Sequence, residues 1–231
     1  VYPAMEKRLS ETYTKRSLAG LSKSTYDSYV KAFRWASDRI PQNEGGIVAF
    51  ISNGAWLDGI GQAGMLRWIE EEFTSVYVLN LRGNQRTSGE LSRKEGGKIF
   101  GSGSRTPIAI TFLVKNPAKK GQKAVIHYHD IGDYLTREQK LKLVKDFRSI
   151  SSQKLEWQII TPNDKADWIN QRDGVFDNLI PLFDKKGVGI FNHNGPAVAT
   201  GRDVWVNNFS NSQLDDNINC LINNYNAQCR E

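Results

Sequence analysis

Residues 24–58 constrain the fold more than any other stretch of the chain. Ser24-Thr25-Tyr26-Asp27 has the Ser-x-x-acid form of a helix start, in which hydroxyl and carboxylate satisfy first-turn amides that lack partners. Tyr26, Tyr29, Val30, Phe33, Ala36 and Ile40 then recur at helical spacing and predict one buried stripe, with Lys31, Arg34, Asp38 and Arg39 on the wet side. Pro41 has no amide to donate and stops the helix. Gly45-Gly46 turns the chain into an unbroken apolar run, 47–51, of the kind found in parallel-sheet strands covered on both faces. The run ends in Ser52-Asn53-Gly54, polar groups at the carboxyl end of a strand, where open α/β sheets bind ligands. Such a helix–strand unit is common to α/β proteins at large, so function has to come from the rest of the chain.

Residues 1–23 are polar and read as an arm, with a short helix around Met5 to Thr12. Past the first strand, Asp58 is placed to cap a second helix. Ile60, Leu66, Ile69 and Phe73 give its buried side and Glu70-Glu71-Glu72 its wet end, where three acids oppose the macrodipole and predict fraying. Residues 75–81 and the apolar 107–115, closed by Asn116-Pro117, predict two more strands. Between them, 82–105 has neither helical nor strand periodicity, and a loop that long in a compact domain is functional or disordered. Residues 118–123 look like a linker and place a boundary, giving parts 1–117 and 118–231. In the second part, strands at 124–129 and 154–160 flank a helix opened by a capping box, Thr136-Arg137-Glu138-Gln139, with Leu141, Val144 and Phe147 on its inner face. Residues 164–173 are polar around Trp168, 176–183 are short and apolar, 192–201 are turn-rich, 203–209 read as extended, and 212–228 as a closing helix.

Composition excludes some functions. No apolar run approaches the roughly 20 residues that span a bilayer, so no membrane association is expected and the cytoplasm is the expected location. No signal sequence opens the chain, and its start at Val1 suggests a piece of something longer. Cys220 and Cys229 lack the spacing of a zinc ribbon or a disulfide scaffold. His127 and His129 share a strand face, as a structural pair or as two metal ligands still wanting a third; no metal is expected. The net charge of +6 and pI near 9.2 suit nucleic acid but also suit ordinary solubility.

The order helix, strand, helix, strand, long loop, strand over 26–115 resembles the second half of the S-adenosylmethionine-dependent adenine amino-methyltransferases of DNA. Asp27-Ser28-Tyr29 stands where that family opens the helix with Asp-x-Tyr. Gly45 to Asn53 matches its Gly-Gly-x-hydrophobic strand ending in Asn, and Phe100 to Pro107 its approach to the last strand. Residues 31–40 (Lys-Ala-Phe-Arg-Trp-Ala-Ser-Asp-Arg-Ile), 80–89 (Asn-Leu-Arg-Gly-Asn-Gln-Arg-Thr-Ser-Gly), 96–105, 129–135 and 200–205 are similar to one branch, the Type ISP restriction-modification enzymes. Those are single polypeptides with nuclease, helicase-like ATPase, methyltransferase and target-recognition parts.

The resemblance implies an α/β fold: the last three strands of a Rossmann-like methyltransferase sheet, then a smaller α+β region at the start of target recognition. It implies that the 107–115 strand is antiparallel and inserted between the other two, and that the 47–51 strand has an open edge. Dimerisation or the amino-terminal arm is expected to cover that edge. The departures are as informative. The glycine-rich turn that lets backbone approach the cofactor is missing, since Gly101-Ser102-Gly103 comes late, and so is the family's Asn-Pro-Pro-Tyr-type segment that holds the adenine amino group, since Asn116-Pro117 is followed by Ala118-Lys119. The catalytic residues are therefore expected before Val1, with S-adenosylmethionine bound by the parent protein and none by this chain, which alone is expected to be inactive.

By the same resemblance Asp27 and Tyr29 lie near the cofactor; the residues themselves read equally as a cap and a packed ring. Asn53, Gly54 and Trp56 line a pocket for a flipped adenine or simply end a strand beside a packed indole. Arg82, Arg86, Arg93, Lys94, Lys98 and Arg105 suit phosphate contacts to double-stranded DNA or a solvated loop. Arg202 is presented to a groove or paired locally with Asp203. A non-catalytic DNA-binding or scaffolding module derived from such an enzyme is the alternative, and an unrelated nucleotide-binding α/β enzyme a third.

Overall fold

The structure is a computed structural model and describes residues 2–17, 23–41, 43–101, 103–119, 121–175, 178–183, 189–191, 193, 195 and 201–230. Two compact units, 1–173 and 174–231, make up the chain. The first is built on one mixed sheet: β1 (Gly46–Asn53), β2 (Ser75–Asn80), β3 (Ile108–Lys115), β4 (Val125–Asp130) and β5 (Gln158–Ile160), in the order β1-β3-β2-β4-β5. β3 runs antiparallel between β1 and β2, with Phe112 opposite Ala49 on one side and Tyr77 on the other. This is the inserted strand the resemblance implied. β4 is parallel to β2, and β5 is antiparallel to β4. β1, β2 and β4 thus point one way and end together at Asn53, Asn80 and Asp130. The boundary expected at 117/118 falls between two strands of this sheet, and the compact units divide at 173/174 instead.

Side chains alternate along a strand, so the sheet has two unequal faces. On one, Val48, Val76, Val78, Leu113 and Ile126 pack against α2 (Ser28–Ser37) and α3 (Ala63–Glu72) through Val30, Phe33, Leu66 and Ile69. Burying each of the larger of these side chains contributes roughly 1.5–3 kcal/mol. On the other, Leu79 and Ile110 pack beneath Val144 and Phe147 of α5 (Arg137–Phe147), with Leu155 and Trp157. That second cover does not reach β1, where Ile47 and Ile51 are 66% and 62% exposed. The strand expected to be buried on both faces is therefore an edge strand covered on one, and it pairs with β3 alone among the described residues.

Several local expectations were displaced by tertiary partners. The Ser24 box does not form: Gln62 Nε2 donates to Ser24 Oγ and Thr25 Oγ1 donates to the Gly61 carbonyl. The helix instead begins after Asp27, whose extended backbone is its N-cap without a side-chain cap. The amino-terminal arm is core: Leu9, beside Thr12 and Tyr13, lies on α1 (Pro3–Glu11), and all three are fully buried. Gly64 lets α3 meet that arm, because a Cβ there would stand 1.8 Å from the Tyr13 carbonyl. The arm packs on α2 and α3, bridged by Arg8–Asp38 at 2.8 Å and Lys31–Glu6 at 2.9 Å, and among the described residues it does not pair with β1. Arg34, placed on the wet face by sequence, is fully buried and forks onto Glu72 at 2.7 and 2.9 Å. Glu70 likewise turns inward and accepts from the Trp168 indole at 2.9 Å. The acidic end of α3 is thus held by partners rather than frayed.

The second capping box is complete: Thr136 Oγ1 accepts from Gln139 N, and Gln139 accepts from Thr136 N. Its helix turns Lys140 and Phe147 inward, while Leu141 is exposed. Unit two contains α6 (Asp203–Val206), where an extended segment was expected, and the closing helix α7 (Asn211–Gln228). Of the short apolar 176–183 segment, 178–183 are described, with Leu179, Ile180 and Leu182 exposed, while the turn-rich 192–201 segment falls largely outside the described residues.

Candidate functional site

The carboxyl ends of β1, β2 and β4 surround a cleft of about 550 Å³. Gly54, Asp58, Asn80, Tyr128 and Asp130 line it from the strand ends, and Arg82, Lys94 and Glu95 from the segment after β2. That segment is not a free loop, because it folds a short helix, α4 (Gly89–Glu95), against the connection between β4 and α5.

The floor is a closed polar network. Asp130 accepts from Arg82 Nε at 2.7 Å, the Tyr128 hydroxyl at 3.1 Å and Gly132 N at 2.8 Å. Asn80 Nδ2 donates to the Tyr128 hydroxyl at 2.9 Å, and its Oδ1 accepts from Arg82 N at 3.0 Å. Arg82 also binds the Asp133 carboxylate, and its backbone sits at φ 55, a left-handed conformation that costs a non-glycine residue energy. Burial pushes the Tyr128 hydroxyl up to about 12, so it stays protonated and donates to Asp130. Burial also raises the Asp58 carboxyl, against the opposing hydrogen bond from Asn170 Nδ2 at 2.8 Å. These carboxylates, amides and one phenol can accept and donate hydrogen bonds to a planar polar ligand. Among the described residues no group of three or more His, Cys, Asp or Glu is arranged to hold a metal ion. His127 stacks on Tyr77 with centroids 4.4 Å apart, and His129 Nδ1 lies 2.7 Å from the Glu156 carbonyl.

The residues singled out from sequence fall into three groups. Gly54 lines the cleft, while Asn53 Oδ1 is spent on Ala55 N at 2.9 Å. Trp56 is fully buried against Phe33 and Trp168, with centroids 5.6 Å away in each case, and belongs to the core. Asp27 is exposed at the start of α2, and Tyr29 is half-buried on the core, its hydroxyl raised to about 12 by burial and by Asp27. Neither borders the cleft. Of the basic residues, Arg82 and Lys94 face the cleft but pair with Asp130 and Asp133, and Arg93 pairs with Glu90 at 3.4 Å. Arg86, Lys98 and Arg105 enter no ion pair among the described residues; Arg105 Nη2 donates to the Gln85 carbonyl at 2.8 Å. Arg202 is exposed at the N-cap of α6 in unit two, and Thr200 lies outside the described residues. Sequence reasoning missed Asp58 as a cleft residue, because it was read as a cap, and missed Asn80, Tyr128 and Asp130. The signal that marked Asn53, a polar residue closing a strand, also marks Asn80 and Asp130.

Fold and site together define a partial Rossmann-like α/β sheet with a polar cleft at the ends of its parallel strands. No family model matches the chain, nor does any curated protein. Solved structures do. A nuclease-deletion mutant of the Type ISP restriction-modification enzyme LlaGI, in complex with a DNA substrate mimic, is 46% identical with a TM-score of 0.84, over 98% of this chain and 18% of its own. The ATP-dependent Type ISP restriction-modification enzyme LlaBIII, bound to DNA, is 38% identical with a TM-score of 0.88, over 98% of this chain and 15% of its own. DrdV, in a complex with DNA, is 31% identical with a TM-score of 0.82, over 98% and 22%. The chain belongs to the Type ISP restriction-modification family and spans 15–22% of the length of these neighbours.

Proposed function

We propose that the chain is the part of an adenine-specific DNA methyltransferase that walls one side of the base-receiving cleft and contacts the duplex beside it. One observation carries this: the cleft at the carboxyl ends of β1, β2 and β4 is flanked by a folded basic segment, in a chain whose neighbours are bound to DNA. The exocyclic amino group of adenine is out of reach inside a duplex, so the base must leave the stack and enter a pocket. Gly54 leaves room there, Asn80 and Tyr128 are locked by Asp130, and Asp58 offers a carboxylate at the rim. Arg86, Lys98 and Arg105, free of carboxylates among the described residues, supply phosphate contacts that fix register. Arg82 holds the cleft wall in place rather than reaching DNA.

The methyl donor of this reading is S-adenosylmethionine, which supplies an electrophilic sulfonium methyl. The described residues do not make its site. Asp27 offers one exposed carboxylate, Tyr29 is packed on the core, and the sequence has no glycine-rich strand-to-helix turn and no Asn-Pro-Pro-Tyr segment. Asp27 and Tyr29 form at most one side of a site that the parent completes. The test is twofold. A methyl-transfer assay with this chain and duplex DNA should read background, whereas turnover would overturn the division of labour. The parent gene should carry an Asn-Pro-Pro-Tyr-type segment; a parent without one would make the chain a non-catalytic DNA-binding module.

A further inference from the structure

Lys140 is the one lysine of α5 that faces inward, and it is fully buried. Its Nζ donates to the Glu95 carbonyl at 2.7 Å and to the Gly97 carbonyl at 2.8 Å. It forms no ion pair among the described residues, and burial lowers its pKa. A buried ammonium is costly, and an apolar side chain of similar size would often serve packing as well. What this one holds is specific. Glu95 and Gly97 stand where α4 ends and the basic segment turns back toward β3. The same turn is fastened by Gly97 N donating to the Leu135 carbonyl at 2.9 Å and Tyr134 N donating to the Lys94 carbonyl at 3.0 Å. Arg137 Nε adds a bond to the Ile99 carbonyl at 2.8 Å. The contact is backbone on backbone: a Cβ on Gly96 would stand 2.2 Å from the Leu135 carbonyl, and one on Gly97 2.5 Å from Arg137 N.

We infer that Lys140 is a positioning residue: by binding the Glu95 and Gly97 carbonyls it docks the segment after β2 onto α5 as a fixed wall of the cleft, and so sets where Arg86, Lys98 and Arg105 meet the phosphates of a duplex. The phosphate clause rests on the function proposed above; the docking does not. Lys140 touches no ligand itself. Its contribution is to remove the conformational freedom that a segment rich in glycine and serine otherwise has to lose on binding.

The test compares the 231-residue chain with Lys140→Met, which keeps the stem and loses the donors, and with Gly97→Ala, which obstructs the same docking while leaving Lys140 intact. Trypsin cleavage after Arg86, Arg93, Lys94 and Lys98 should become about tenfold faster in both variants, because local opening no longer breaks charge-assisted hydrogen bonds. Amide exchange in β1 and β3 should stay unchanged. The slope of log affinity for duplex DNA against log salt should shrink by about one to two units as ordered phosphate contacts are lost. A purely structural role would lower affinity through the folded fraction and leave that slope alone. Wild-type cleavage rates in both variants would overturn the docking, and faster cleavage with an unchanged slope would overturn the link to DNA. A wild-type chain that does not bind duplex DNA at all sinks the proposed function and leaves the cleavage comparison to decide the docking. Should Lys140→Met fail to fold, Gly97→Ala carries the same readings.

Discussion

A guanidinium without access to water has to be neutralised where it sits. Arg34 is, by Glu72 at 2.7 Å and Asp38 at 2.8 Å, with the Tyr13 ring 5.6 Å away. Burial alone would raise the Glu72 carboxyl, but the hydrogen bonds and charge of Arg34, with Lys115 behind it, hold it below the ordinary carboxylate range. The sign follows: the pair contributes fully above the unfolded carboxylate value near 4.3 and its contribution is lost as pH falls through the lower folded value. Asp38 acts in the same sense, while Glu70 and Asp58, raised by burial, act in the opposite one. Glu72→Gln should cost about 3 kcal/mol at pH 7, because it leaves a buried charge short of a partner, and should flatten the loss of stability between pH 5 and 3; urea unfolding at several pH values reads both. Trp56 makes the complementary point. Trp56→Ala should cost about 3–5 kcal/mol through the cavity it leaves in the core. Gly54→Ala should fold normally, since its Cβ would meet Ala109 at an ordinary 3.4 Å. Helix-start signals were legible only where nothing else wanted the hydroxyl. Thr136 forms its box, whereas Ser24 and Thr25 are taken by Gln62 and Gly61, partners far along the chain that no local pattern encodes.

At the scale of elements, the apolar runs at 47–51, 75–81 and 107–115 were each legible as strands, because β-branched and aromatic residues leave little else for them to be. Which strand pairs with which was not written in their periodicity. That β3 lies between β1 and β2 came from the resemblance, and that β4 extends the same sheet past 117/118 came from neither. α4 was invisible for a physical reason: seven residues with a single large apolar side chain, the exposed Leu91, cannot form a helix by propensity, and docking onto the β4–α5 connection supplies what propensity lacks. The exposed edge strand has its own consequence. Among the described residues β1 offers unpaired backbone beside Ile47 and Ile51, which is a template for a second strand. We expect the isolated chain to self-associate through it. Ile47→Lys with Ile51→Lys should leave stability within about 0.5 kcal/mol and shift light scattering toward the monomer. Scattering that starts monomeric, or does not move, would count against that pairing.

At the scale of the molecule, every fully buried hydrophobic among the described residues precedes Asp173, while Val175, Leu179, Ile180, Val204 and Phe209 in unit two are all exposed. Removing 174–231 should therefore leave the melting temperature of unit one within a few degrees. The outline of the cleft was legible: the polar end of β1 and the long segment after β2, both singled out from sequence, both border it. Its floor was not, because Asn80, Tyr128 and Asp130 come from separate strands whose ends only the topology brings together. Affinity for a double-stranded oligonucleotide, measured across a salt series with the 231-residue chain and with an Arg86→Gln, Lys98→Gln, Arg105→Gln variant, tests the central claim most directly. We predict salt-dependent binding whose log–log slope falls by about one unit per side chain removed. Binding that is absent, or that keeps its slope in the triple variant, would contradict the assignment of this segment to DNA.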